Sequence, residues 1–190
     1  MNIRAALILL LVWLPSCAAQ SQVAPREIFD EQSGSTLTVV SKPLVFARER
    51  SDVAAHARDY ATVVAVEIDR SGAYQQYLLL YRWSTVDRRM SPPPDPAAGA
   101  MRLLADGRPI ELLSLDRMPV SLQRSSELHV PDHAAVVTRA YKVDPALLHF
   151  IATSGTLTLR MPRESLDVPF TLWEDGRGAL VKFLQTAAAP

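Results

Sequence analysis

Thr62-Val63-Val64-Ala65-Val66-Glu67-Ile68-Asp69, then Arg70-Ser71-Gly72-Ala73, then Tyr74-Gln75-Gln76-Tyr77-Leu78-Leu79-Leu80-Tyr81-Arg82-Trp83, is the stretch that decides the fold. Val64, Val66 and Ile68 fall on one side of an extended chain and Ala65, Glu67 and Asp69 on the other, the period of two that marks a strand. The segment from Asp69 to Ala73 has the form of a three-residue hairpin loop, with Gly72 able to take the left-handed conformation. A long strand over 74–86 should therefore return antiparallel. Pairing Asp69 with Ala73 sets Leu78 opposite Val64 and Leu80 opposite Thr62. That register makes the Leu78, Leu80 and Arg82 side the main core and leaves Tyr77, Leu79, Tyr81 and Trp83 on the other. A slip of one residue would exchange the two faces.

A second hairpin lies downstream. Residues 101–105 lead into Asp106-Gly107, the pair suited to a type I′ turn, and 108–113 lead out. Pairing Ala105 with Arg108 places Leu103 opposite Ile110 and Met101 opposite Leu112, with Arg102 facing Glu111 on the other side. One apolar face and one charge pair thus come from a single register. Further strands are expected at 36–40, 44–47, 134–143, 156–161 and 168–173. Two short helices are expected as well. Asp144-Pro145 supplies an N-cap and a first-turn proline for a body over 146–153 with Gly155 at the exit, and Leu180, Phe183 and Leu184 fall at helical spacing within 178–186. The resulting class is mainly β, an antiparallel β-sandwich with two short helices, and a partly open β-barrel is the alternative.

The chain has 190 residues, 48% of them apolar, enough for one domain with a real core and too apolar for disorder. Its 20 basic and 20 acidic side chains cancel, leaving no electrostatic footprint for nucleic acid. The one low-complexity stretch, Ser91-Pro92-Pro93-Pro94-Asp95-Pro96-Ala97-Ala98-Gly99, favours extended chain outside any sheet interior.

Arg4 followed by the apolar run 5–14 reads as an export signal, at about half of the roughly 20 residues a spanning helix needs. The only cysteine, Cys17, closes that region in Leu14-Pro15-Ser16-Cys17-Ala18-Ala19. This segment resembles the bacterial lipobox: Leu14 and Ser16 fit its pattern, whereas Pro15 departs from the usual small or β-branched residue. The resemblance implies cleavage before Cys17, lipid on its thiol and stable membrane attachment, and Ala18 resembles the residue that follows the cysteine in outer-membrane lipoproteins. The chain as a whole resembles small exported bacterial lipoproteins with β-rich domains. Residues 1–17 are then the signal, 18–27 a tether, and 28–190 the single β-rich domain. Ordinary signal-peptidase cleavage after Ala18 or Ala19 is the alternative, and it would leave a soluble periplasmic or secreted protein.

Chemistry-bearing motifs are sparse. No Gly-x-Ser-x-Gly elbow, phosphate loop or catalytic cysteine is present, so no catalytic residue and no cofactor is assigned. His129-Val130-Pro131-Asp132-His133 groups possible zinc ligands, but Pro131 breaks the helical pair that zinc hydrolases use, and no metal site is assigned. Asp30, Glu31, Glu67, Asp69, Asp87 and Glu174 are scattered, and no acid–base pair can be chosen among them. The aromatic row Tyr77, Tyr81 and Trp83, with Arg88 and Arg89 at its end, remains as a candidate binding surface. If those rings are exposed, Tyr81→Ala and Trp83→Ala should leave the fold intact. The expected function is a membrane-tethered periplasmic binding module, not an enzyme, for an envelope partner protein or glycan. An envelope-polymer hydrolase using the scattered carboxylates or the His129/His133 loop is the alternative.

Overall fold

The structure is a computed structural model and describes residues 24–86, 100–123, 128–132, 137–161 and 169–187. Its strands are β1 (Arg26–Asp30), β2 (Ser35–Val39), β3 (Leu44–Glu49), β4 (Arg58–Arg70), β5 (Ala73–Ser84), β6 (Met101–Ala105), β7 (Arg108–Leu112), β8 (Val137–Val143), β9 (Leu157–Arg160) and β10 (Phe170–Glu174). The helices are α1 (Pro145–Thr153) and α2 (Arg177–Ala187). The mainly β, antiparallel class with two short helices holds. The strands form one sheet curled into a half-barrel, so within that class the partly open barrel is the better description than two stacked sheets. β1 begins at Arg26, so the last two residues of the expected tether already belong to the sheet.

β4 organises the sheet because its 13 residues are long enough to serve three neighbours. On one side β3 pairs with its first half and β2 with its second, while β5 follows its whole length on the other side and carries β8 beyond. From β3 the sheet continues through β10, β9, β6 and β7. The β2–β3 link is pressed against the start of α2: a Cβ on Gly176 would lie 2.3 Å from the Pro43 carbonyl oxygen. Only glycine lets the two backbones approach so closely.

The first hairpin corrects the expected register. Arg70 pairs with Ala73, so the loop is the two residues Ser71-Gly72. Both have positive φ, 54° and 83°, the type I′ signature, and Asp69 Oδ1 accepts the Gly72 N–H at 2.8 Å. Leu78 therefore faces Ala65 and Leu80 faces Val63. The second hairpin has the expected register throughout, with Ala105 opposite Arg108, Leu103 opposite Ile110 and Met101 opposite Leu112.

Both faces of the β4–β5 ribbon are buried. On one face Val63, Ala65 and Leu78 meet Leu180 of α2, and Leu44, Phe46, Leu103, Leu159 and Phe170 continue that core. On the other, Val64, Val66, Leu79 and Tyr81 are buried as well, and towards the turn end Ile68, Gln75 and Tyr77 face Pro119, Val120 and Ser121 of the segment after β7. Its 3-10 turn Val120–Leu122 is tied to the β1–β2 hairpin through Ser121, which bonds the Ser33 and Ser35 hydroxyls. His129 is bonded to the chain just past the end of β2: its ring N–H donates to the Val40 carbonyl at 2.7 Å, and burial holds its pKa below the ordinary histidine value. Asp144 caps α1 by accepting the Leu147 N–H, as the sequence predicts.

Candidate functional site

The aromatic row does not form one open surface. Tyr81 is 1% exposed and Tyr77 5%, and the Tyr77 hydroxyl donates to Gln75 Oε1 at the strand edge. The expectation that Tyr77 and Tyr81 present their rings to a ligand is corrected: both rings are part of the buried core. Arg88, Arg89, Cys17 and His133 lie outside the described residues.

Trp83, the last ring of the row, is different. It is half-buried and sits opposite Tyr60, and the two rings stack with centroids 4.1 Å apart and planes 10° from parallel. A third ring comes from β10. The register against β3 shifts between Leu172 and Glu174, and Trp173 occupies the extra position. Its ring meets Tyr60 edge-on at 6.4 Å, an arrangement in which a positive ring edge faces a negative ring face. β-Bulges commonly re-aim one side chain in this way at sheet rims. Trp173 is 52% exposed, unusual for so large an apolar ring.

The Arg58 guanidinium lies 4.7 Å from the Trp173 ring centroid and donates to Glu49 Oε1, its cross-strand partner. The hydroxyl of Thr85 accepts the Arg58 N–H, fixing the chain that leaves β5 beside the cluster. Val53 and Val86, both exposed, belong to the two connections at this same end of the ribbon. Glu49, Arg58, Tyr60, Trp83 and Trp173 thus make a rigid aromatic platform with a charged flank.

On the opposite face of the same ribbon end, Asp59 is the hub of a buried charge cluster. It accepts from Arg48 at 2.9 and 3.1 Å and from Arg50 at 3.2 Å. Burial alone would raise its pKa, but hydrogen bonds from Ser84 and Arg48 and the nearby positive charges hold it below the usual carboxylate range. The Arg48 guanidinium also lies 4.4 Å over the Phe170 ring. This cluster clamps β3, β4 and β5 together under the platform.

No family model, no curated protein and no solved structure matches this chain. Of the carboxylates named from sequence, Glu67 and Asp69 lie two residues apart on β4, close enough to interact, and Asp30 lies at the β1–β2 turn. Asp30 accepts from Gln32 and Ser33 in the β1–β2 turn, Asp69 holds the Gly72 amide, and Glu67 accepts from Gln76. Asp87 lies outside the described residues. Among the described residues no group of three or more histidine, cysteine or acidic side chains is placed to hold a metal ion, and no helix is long and apolar enough to cross a membrane.

Sequence reasoning found Trp83 but missed Tyr60 and Trp173. Tyr60 is legible as the residue two before Thr62 on the same strand face. The bulge that turns Trp173 carries no sequence signal.

Proposed function

We propose that the protein is a non-enzymatic binding module of the cell envelope that uses the Tyr60–Trp83–Trp173 platform to engage a partner protein, and that lipid on Cys17 tethers it to the outer membrane facing the periplasm. The observation that carries the reading is the half-exposed Trp173 ring, held edge-on by Tyr60 and flanked by Arg58. Tryptophan, tyrosine and arginine are the residue types that dominate binding energy at protein interfaces, because rigid rings bury large areas at small entropic cost. An envelope glycan is the second reading, and it rests on the same exposed ring. The hydrolase alternative has less behind it: the buried carboxyls of Asp30 and Glu67 already accept hydrogen bonds from Ser33 and Gln76, and Asp69 holds a turn amide.

Two experiments test the two halves of the proposal. Intact mass of the mature protein from membrane and soluble fractions should give an acylated N-terminus at Cys17, and Cys17→Ser should release the protein from membranes. A soluble product beginning at Ala19 or Gln20 would remove the tether. Affinity capture from solubilised envelopes with wild-type and Trp173→Ala chains should enrich one protein in proportion with the wild type only. Equal recovery with both chains would remove the platform, and retention on isolated envelope glycan, lost in Trp173→Ala, would decide for the second reading.

A further inference from the structure

At the turn end of the ribbon, on the face that carries α1 and α2, a cleft of about 540 Å³ opens between β5, the start of α1 and the end of α2. That volume lies in the range of small-ligand sites. Glu67, 3% exposed, and Gln76, 5% exposed, stand opposite each other on β4 and β5 and both line it. Gln76 Nε2 donates to Glu67 Oε2 at 3.0 Å, which fixes the amide with its nitrogen toward the carboxylate. Gln76 Oε1 is then a buried acceptor with no hydrogen-bond partner among the described residues. A buried acceptor left without a donor is costly, so a ligand that donates to it binds better than one that cannot.

The other walls set the sign of the ligand's charge. Asp144 lines the cleft, and Asp69 is close enough to Glu67 to push its pKa up further, on top of the dominant effect of burial and against the Gln76 bond. Lys142 is the one cationic side chain among the described lining residues. Tyr74, 51% exposed, offers a ring at the mouth. Hydrogen-bond acceptors inside, an excess of negative charge around them and an aromatic ring at the rim all favour a donor-bearing cation.

We infer that this cleft binds a primary ammonium group, with Gln76 Oε1 and the Glu67 carboxylate as its acceptors. The site lies at the other end of the ribbon from the aromatic platform and does not depend on it. A free small amine and a lysine side chain of a peptide share this chemistry, and the probes separate them.

The test is a titration of the purified full chain, followed by ¹H–¹⁵N spectra, with n-butylammonium, with Nα-acetyl-lysine methylamide, and with tetramethylammonium, which carries the charge but no donor. The primary ammonium should give saturable shifts at the Gln76 side-chain amide, and tetramethylammonium should bind at least about tenfold more weakly. Gln76→Met and Glu67→Gln should each weaken the primary ammonium about fivefold or more. Tighter binding of the lysine derivative would point to a peptide source, and tighter binding of n-butylammonium to a free amine. Absence of saturable shifts, equal binding of tetramethylammonium, or unchanged affinity in a folded Gln76→Met chain would overturn the proposal. The tetramethylammonium comparison uses the unaltered protein, so it decides even if a variant does not fold.

Discussion

The two ends of the β4–β5 ribbon share one backbone pairing and are finished in opposite ways. At the end where β4 begins, Tyr60, Trp83 and Trp173 bring rings to the surface over a buried Arg48–Asp59 pair. At the turn end, Glu67 and Gln76 bring an acid and an amide into a cleft. Between them Val63, Val64, Leu79, Leu80 and Tyr81 are buried on both faces. The middle of the ribbon is thus committed to stability, and only its ends are free to specialise. One end offers apolar area with a charged flank, which suits a large partner. The other offers buried acceptors, which suit a small donor.

The largest effect should come from the middle. Tyr81→Ala removes a fully buried ring and should cost about 3–5 kcal/mol by denaturant unfolding, and a loss below about 1 kcal/mol would mean that this face of the ribbon is open. Asp59→Asn comes next. It leaves the buried Arg48 guanidinium without its carboxylate and should cost about 3 kcal/mol at neutral pH. Because the folded pKa of Asp59 lies below the unfolded one, this stabilisation is complete above the unfolded value and is lost as pH falls through the folded value. The gap between wild type and Asp59→Asn should therefore narrow in acid, and a gap constant down to about pH 2 would contradict the clamp.

Trp83→Ala should cost about 1–2 kcal/mol, since its ring is half-buried and loses one stacked partner. A larger loss would place Trp83 with Tyr81 in the interior and shrink the platform. Glu67→Gln should sharpen the contrast with Asp59 by going the other way. Burial raises the folded pKa of Glu67, so its ionisation costs stability as pH rises from the unfolded value through the folded one. The variant should match the wild type in acid and be at least as stable at neutral pH, and thermal melts across that range check the sign. Trp173→Ala should change stability by no more than about 0.5 kcal/mol, because the exposed ring contributes surface and not core.

The two hairpins show how much of this was legible in the sequence. Asp106-Gly107 named its own turn, and every pair from Ala105–Arg108 to Met101–Leu112 followed from it. At Arg70-Ser71-Gly72-Ala73 the serine gave no such signal. Ser71 accepts a positive φ because the turn needs it, and the register moved by one residue. The alternation in β5 could not tell which face was covered, since leucines and tyrosines fill both sides. Asp144-Pro145 announced α1 for a local reason, the cap that it supplies. The aromatic end was legible only through Trp83, and the rest depends on contacts distant in sequence: Trp173 on a bulge against β3, and the Glu67–Gln76 cleft on where α1 starts and α2 ends.

The central claim is that the aromatic end of the ribbon is a recognition surface. Photo-crosslinking from position 173 in the native envelope, with position 113, exposed on the far hairpin, as the control, tests it most directly. A single discrete adduct from 173 and none from 113 is the predicted result. The same adducts from both positions, or none from either in a chain that folds and reaches the envelope, would contradict it.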